Sequence, residues 1–312
     1  MRDWQQGIIE STTGARLNFY LAPHKTRRAK PKAVIQINHG MSEHAGRYQE
    51  FAQYLAKRGY TAIAQDHRGH GETTAPDAPT GSFGGNDGGA KLLQDIDAVN
   101  RHITELYPDI PIVCFGHSLG AIFAMNYVVV YPQNIAAAAI WNANIKANIA
   151  LHLFRLILKT ERMLKGSDVP SAMAPQLTFE PWRKKFQPGR TQSDWLSCDE
   201  EEVDKYISDP LCGFPLSVGA WLSVTEAIAK GASKSAIEAL PKTMPFNLVA
   251  GDDDPASENG QSICRLGQRL RSSGMTDVSV RIYPHTRHEC LHEINRDQVM
   301  TDFTDWLDER FG

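Results

Sequence analysis

Long apolar runs and an excess of positive charge are both missing from this sequence. No stretch approaches the roughly 18 uncharged residues of a membrane-spanning helix, and the opening residues MRDWQQGIIESTTG contain no apolar signal-peptide core. The chain has 33 Lys and Arg against 36 Asp and Glu, a net charge of −3, which argues against binding to nucleic acid. We therefore expect a cytoplasmic protein without a nucleic-acid partner.

Cysteine is scarce as well, with five among 312 residues and no C-x-x-C spacing. An odd number of scattered cysteines argues against a disulfide framework and against a zinc site. We expect reduced thiols, and neither a metal nor a cofactor. The five residues are Cys114, Cys198, Cys212, Cys264 and Cys290.

Strand-like and helix-like segments alternate along most of the chain. Short β-rich runs such as VIQIN, IVCF and FNLVA are separated by helical patterns. This alternation predicts a mostly parallel central sheet flanked by helices. It stops between about residues 144 and 241, where only helical pieces occur. We therefore predict an α/β core formed by residues 1–143 and 242–312, with a helical cap of residues 144–241 inserted into it.

The sequence GHSLG, residues 116–120, lies between an apolar strand and an apolar helix. In that context G-x-S-x-G is typical of a nucleophile elbow, a tight turn that exposes the serine Oγ. An ordinary loop also favours glycine, and serine also caps helices. Since glycine makes up about 7% of residues, a chain of this length contains the pattern by chance with odds of roughly one in ten. Ser118 is thus a candidate nucleophile that needs support from the rest of the chain.

Two further loops, each directly after a predicted strand, supply an acid and a base. GDDDP, residues 251–255, contains Asp254, whereas Asp252 and Asp253 also fit a solvated acidic turn. PHTRHE contains His288, which lies further from its strand than His285, a residue that we expect at the surface. Because loops at the carboxyl ends of parallel strands meet at one edge of a sheet, these side chains can assemble with Ser118. We predict a catalytic triad of Ser118, Asp254 and His288.

A third loop, HGMSEH, follows the strand VIQIN. A glycine at a strand end lets the backbone pass close to a substrate. We predict that the backbone N–H groups of Met41 and Leu119 form the oxyanion hole. His39 and Gly40 are predicted to contact the substrate.

The combination of INHGMSEHAGRYQEF, DHRGHG, GHSLGA, GDDDP and RHECLHE resembles the monoacylglycerol lipase and lysophospholipase branch of the α/β-hydrolases, which is also described as serine aminopeptidase-like. The resemblance covers nearly the whole chain. It implies the α/β-hydrolase fold with a helical cap, and the roles already given to Ser118, Asp254 and His288. It also supports Met41 and Leu119 as oxyanion donors. The chain departs from the family in having Leu119-Gly120-Ala121 where Met-Gly-Gly is common.

The cap holds the clues to the substrate. Its helix IALHLFRLILK is apolar on nearly every side, which fits either burial between cap and core or a lid face that lines an acyl pocket or touches lipid. Trp195, Phe214 and Trp221 are predicted to extend such a pocket. The basic stretches HKTRRAKPK and RKKFQPGR suit solvated loops or contacts with anionic headgroups.

These features favour an ester hydrolase that acts on monoacylglycerol or lysophospholipid-like lipids. A carboxylesterase for small esters and a serine aminopeptidase remain as alternatives, the latter if a cap carboxylate such as those in CDEEEVD binds an amine. A non-enzymatic binding protein would need a broken triad. The oligomeric state is left open by the sequence.

Overall fold

The computed structural model describes residues 4–26 and 29–312, and its centre is a sheet of eight strands. The strand order is β1-β2-β4-β3-β5-β6-β7-β8. Strands β1 and β2 pair antiparallel, β2 pairs antiparallel with β4, and the other pairs are parallel. The strands are β1 Gln5–Glu10, β2 Arg16–Ala22, β3 Val34–Asn38, β4 Thr61–Gln65, β5 Ile112–His117, β6 Ala137–Trp141, β7 Phe246–Gly251 and β8 Val278–Tyr283.

Helices cover both faces of the sheet. Every residue of β3 to β7 is buried, which explains why these strands read as continuous apolar runs. The predicted fold class is thereby confirmed. The helices are α1 Gln49–Lys57, α2 Gly88–Leu106, α3 Leu119–Val130, α4 Ile149–Lys165, α5 Met173–Leu177, α6 Phe179–Lys185, α7 Glu200–Ser208, α8 Val218–Gly231, α9 Lys234–Glu238, α10 Gln261–Ser272 and α11 Arg296–Phe311.

Two large groups of core residues lie on opposite faces. On one face, α1 and α11 pack aromatic rings against the sheet, with Phe51 and Phe303 around Phe115 and Trp141. On the other face α3 is buried up to Val128, because the sheet covers one side and α8 the other. A helix that is apolar all round is expected in such a position.

Helices α4 to α9 connect β6 to β7, the place at which the strand–helix alternation stops in the sequence. We keep residues 144–241 as the proposed extent of the cap. Within the basic stretch HKTRRAKPK, Arg27 and Arg28 lie outside the described residues. Among the residues that the structure describes, no helix combines the length and apolarity needed to cross a bilayer.

Candidate active site

Ser118 lies between β5 and α3 with φ 53° and ψ −115°, a backbone conformation that side-chain-bearing residues rarely adopt. Its N–H donates to the carbonyl of Trp141 at 2.9 Å, and its carbonyl accepts from Ile122 at 3.1 Å. A Cβ on Gly116 would lie 2.4 Å from the carbonyl oxygen of Gly120, across the turn. The glycine therefore permits the sharp turn that points Ser118 away from the sheet.

His288 and Asp254 reach Ser118 from the loops after β8 and β7. The distance from His288 Nε2 to Ser118 Oγ is 2.9 Å, and that from His288 Nδ1 to Asp254 Oδ1 is also 2.9 Å. The carboxylate accepts the Nδ1 proton, which leaves the lone pair of Nε2 free to accept the hydroxyl proton of Ser118. This is the arrangement of a serine nucleophile, its base and an orienting acid.

Asp254 is fully buried and remains ionised. Burial by itself raises the pKa of a carboxyl group, but the charge and hydrogen bond of His288 outweigh it, and the pKa of Asp254 lies below its ordinary value of 3.8. Asn142 donates to Asp254 Oδ2 at 3.1 Å, and the N–H of Ala256 donates to Oδ1 at 2.9 Å. Asn142 thus satisfies the oxygen that His288 leaves open, and Ala256 adds a second donor to the oxygen that His288 contacts.

Met41 and Leu119, whose backbone N–H groups are the predicted oxyanion donors, line the same cavity as Ser118. As the first residue of α3, Leu119 has no intrahelical acceptor for its N–H group. A Cβ on Gly120 would lie 2.1 Å from the carbonyl oxygen of Asn38 and 2.5 Å from that of His39. Gly120 therefore lets the start of α3 approach the loop after β3 that carries Met41.

The structure places His39 outside the lining of the cavity that holds Ser118, unlike the other residues predicted to contact substrate. Its side chain is completely buried, its Nδ1 donates to the carbonyl of Gly40 at 2.8 Å, and its Nε2 accepts from the backbone N–H of His67 at 2.9 Å. Burial and the neighbouring His67 and His70 hold the pKa of His39 well below its ordinary value, so the ring stays neutral. In a loop, a histidine next to a glycine can point either into the cavity or into the protein interior, and only tertiary packing decides between these orientations.

The other residues predicted to contact substrate, Gly40, Trp195, Phe214 and Trp221, do line the cavity. The cavity has a volume of about 750 Å³ and reaches from Ser118 into the cap. The ring of Trp195 lies 5.1 Å from that of His288. Further apolar lining comes from Ile122, Leu151, Phe154, Ile157, Phe179, Val224 and Ile228.

Three polar residues at the site were not identified from the sequence: Asn142, Glu43 and His117. Asn142, with φ 51°, directly follows β6 and so lies at the same sheet edge as the triad loops, which is the signal that could have found it. Glu43 is 2% exposed and bonds the loop that carries Met41. His117 directly precedes Ser118 and donates from Nε2 to the carbonyl of His288 at 3.0 Å.

One group of side chains within the described ranges has the composition of a metal site: His44, Asp209 and Cys212, with ligand atoms within 4.8 Å of one another. The Nδ1 atom of His44 accepts the N–H of Gly46, so the proton of a neutral ring is on Nε2. That proton is donated to Asp209 at 2.9 Å. The arrangement therefore suits a hydrogen bond between core and cap, since Nε2 has no lone pair to offer a cation.

Comparison with known proteins agrees with this geometry. A model of the family described as serine aminopeptidase, S33, matches residues 29–295. The mouse monoglyceride lipase is 27% identical over 287 residues, covering 90% of this chain and 84% of the lipase. The monoacylglycerol lipase of Mycolicibacterium smegmatis is 25% identical, covering 89% and 88% of the two chains.

Among solved structures, a thermostable carboxyl esterase from Bacillus coagulans superposes with a TM-score of 0.88 at 22% identity, over 100% of both chains. At this identity the likeness shows the shared fold. The family match extends from before β3 to the residues just before α11 and includes Ser118, Asp254 and His288. The chain therefore belongs to the serine aminopeptidase S33 family of α/β-hydrolases, in its monoacylglycerol lipase-like branch.

Proposed function

We propose that this protein is a carboxylic ester hydrolase that cleaves monoacyl lipids, monoacylglycerol or lysophospholipid-like esters, through an acyl-enzyme on Ser118. The observation that carries the proposal is the hydrogen-bonded chain from Ser118 through His288 to Asp254, with both distances at 2.9 Å, beside an apolar cavity. The monoglyceride lipase relatives support the same class of substrate.

The mechanism follows from the position of each proton. His288 Nε2 takes the hydroxyl proton as Ser118 Oγ attacks the ester carbonyl, and Asp254 stabilises the resulting imidazolium. The N–H groups of Met41 and Leu119 would bind the oxyanion. The alcohol leaves with the proton from His288, and water activated by the same ring then releases the fatty acid.

The cavity favours a long acyl chain over a small ester. Aromatic and aliphatic side chains of α4, α6 and α8 line it, and its volume of about 750 Å³ lies in the range of pockets that enclose whole ligands. The second candidate function is a carboxylesterase for small esters. A small ester bound at Ser118 would leave most of this apolar surface in contact with water. Chain-length preference therefore separates the two functions.

An aminopeptidase is disfavoured by the charges at the cavity. Binding a free N-terminal amine requires an unpaired carboxylate near the nucleophile. The carboxylates that line the cavity, within the described part of the chain, already have cationic partners: Glu43 and Glu289 bond Arg47, and Glu258 pairs with Arg265. The acidic residues of CDEEEVD are absent from the cavity lining.

The proposal also includes contact between the cap and aggregated lipid. Helix α4 lines the cavity with Leu151 and Phe154, while its opposite face exposes Leu156 at 60% and Met163 at 86%. The two faces of this helix therefore support a lid that lines an acyl pocket on one side and touches lipid on the other. Such a face, mixed with basic side chains, suits a membrane surface.

Vesicle flotation tests this contact. The wild type should float with vesicles of phosphatidylcholine and phosphatidylglycerol, whereas a Leu156→Glu/Met163→Glu double variant should not. The double variant should still cleave soluble p-nitrophenyl acetate. Val130→Glu, at an exposed position of α3 outside the cap, is the matched control. Equal flotation of all three proteins would remove the lipid contact from the proposal.

The function itself is tested by turnover of p-nitrophenyl esters from C2 to C16, 1-monoacylglycerol, lysophosphatidylcholine and aminoacyl p-nitroanilides. We expect a long-chain optimum and no activity in Ser118→Ala. Val224→Phe narrows the cavity and should shift the optimum to shorter chains, whereas Val130→Phe should not. Turnover restricted to the anilides would establish a peptidase, and a C2–C4 optimum would establish a small-ester carboxylesterase.

A further inference from the structure

The loop that carries Met41 is held from two directions by side chains outside the triad. His39 Nδ1 donates to the carbonyl of Gly40 at 2.8 Å. Because that carbonyl and the N–H of Met41 belong to one planar peptide unit, this bond sets the direction of the N–H group. The preceding N–H, that of Gly40, donates to Glu43 Oε1. The peptide planes on both sides of Gly40 are thereby oriented.

Glu43 is the residue at which these contacts meet. Its carboxylate, 2% exposed, also accepts from Tyr48 at 2.9 Å and from Arg47, and its Oε1 lies 3.5 Å from His117 Nδ1. A Cβ on Gly40 would lie 2.6 Å from Glu43 Oε1 and 3.0 Å from His117 Nδ1. Only glycine therefore lets the loop pack directly on this pair.

His117 extends the network to the catalytic base. Its Nε2 donates to the carbonyl of His288 at 3.0 Å, and the two rings lie 4.9 Å apart. Since Nε2 must carry a proton for this bond, a proton on Nδ1 as well makes the ring a cation that faces Glu43. Burial alone opposes this charge, but Glu43 outweighs burial and raises the pKa of His117. One carboxylate thus connects the loop of Met41, the nucleophile elbow and the backbone of His288.

We propose that Glu43, acting through Gly40 and His117, is a positioning residue that aligns the oxyanion-hole peptide with Ser118 and His288. The inference rests on the proposed function, because it assigns a role in stabilising the oxyanion of ester hydrolysis. Glu43 contacts neither the reacting atoms nor the triad side chains directly. Its removal should therefore weaken binding of the transition state while substrate binding stays nearly unchanged.

The test compares the wild type with Glu43→Gln, which keeps the side-chain shape and removes the charge. Active sites are counted with a fluorophosphonate, and kcat per site, KM and the Ki of an alkyl trifluoromethyl ketone are measured with p-nitrophenyl esters. The ketone adds to Ser118 and forms an oxyanion, so its Ki reports on the oxyanion hole. Complete loss of one oxyanion donor typically lowers turnover about 10²–10³-fold.

For Glu43→Gln we expect kcat per site to fall at least about ten-fold, with a proportional rise in Ki and a KM within about three-fold of the wild type. Tyr48→Phe is the matched control, since it removes a hydrogen bond to the same carboxylate oxygen and keeps the groups that bond Gly40 to Glu43 and His117 to His288. An unchanged kcat per site, an unchanged Ki, or an equal loss in Tyr48→Phe would overturn the inference.

His117→Gln decides the question if Glu43→Gln yields no folded protein. Glutamine keeps an N–H donor for the carbonyl of His288 and removes the charge that faces Glu43. We expect a several-fold lower kcat per site with a parallel rise in Ki, and wild-type values would overturn the inference. A wild type that cleaves no ester would instead refute the proposed function, so the two failures are distinguishable.

Discussion

Replacing Ser118 by glycine should leave the protein more stable than replacing it by alanine. Both variants lose the hydroxyl group, and both keep the bonds of the backbone to Trp141 and Ile122. Alanine retains the Cβ that makes φ 53° and ψ −115° unfavourable, whereas glycine adopts this conformation without strain. The comparison therefore isolates the conformational strain stored at Ser118.

The expected size of the effect follows from two opposing contributions. A residue in such a sparsely populated conformation costs about 1–3 kcal/mol, and the greater freedom of glycine in the unfolded chain costs about 0.4–1 kcal/mol. The free energy of unfolding of Ser118→Gly should thus exceed that of Ser118→Ala by about 1–2 kcal/mol. At an unfolding entropy of about 2.1 cal/mol/K per residue, a chain of this size should show a Tm about 1.5–3 °C higher.

Calorimetry and urea unfolding of the two inactive variants measure this difference. Ser223, in the middle of α8, provides the control at an ordinary helical position. There the glycine variant should be less stable than the alanine variant by about 1 kcal/mol, the opposite sign. If Ser118→Ala proved as stable as Ser118→Gly, the elbow would store no measurable strain and the reasoning would be refuted.

Three further predictions concern the groups around the nucleophile. Asp254→Asn should lower kcat for p-nitrophenyl esters by about 10⁴-fold, because asparagine favours the wrong tautomer of His288; a loss below ten-fold would show that Asp254 does not orient the base. The pKa of Asp254 in the folded protein lies below 3.8, its ordinary value in an unfolded chain. The ionised carboxylate therefore stabilises the fold above pH 3.8, and this stabilisation is lost as the pH falls through the pKa of the folded state. The stability difference between wild type and Asp254→Asn, from urea unfolding between pH 3 and 7, should therefore narrow below about pH 3.8, and a constant difference would contradict the assignment. Gly120→Ala brings a Cβ to 2.1 Å from the carbonyl oxygen of Asn38, so we expect destabilisation by about 3 kcal/mol and reduced turnover; wild-type stability and rate would show that the two segments can move apart.

Much of the fold was readable from local patterns. Continuous apolar runs identified the buried strands. Their alternation with helical segments predicted a mostly parallel sheet, and the observed strand order and pairing confirm it. The elbow was also readable, because G-x-S-x-G describes a turn formed by five consecutive residues. Loops that follow parallel strands share one sheet edge, which is why the sequence alone places Asp254 and His288 beside Ser118. The cap boundaries and the roles of these residues remain proposals.

The direction of individual side chains was decided by tertiary packing. Nothing in HGMSEH indicates that the His39 side chain accepts a hydrogen bond from the backbone of His67. Nor does it indicate that Glu43 lies beside His117, which is 74 positions later in the chain. Asn142 donates to Asp254 across 112 positions of sequence. Likewise, the segment IALHLFRLILK at the start of α4 has apolar residues on nearly every side, and only its place in the fold separates the cavity face from the exposed face.

The physical reason is the range of each interaction. Backbone conformation and apolar periodicity depend on neighbours within a few residues, so the sequence by itself determined the strands, the helices, the tight turn at Ser118 and the order of the candidate triad. Hydrogen bonds and ion pairs in the interior join groups from distant segments, and their geometry exists only after the chain has packed. The tertiary structure alone therefore decided which polar groups bond to the loop of Met41 and which only fill the core.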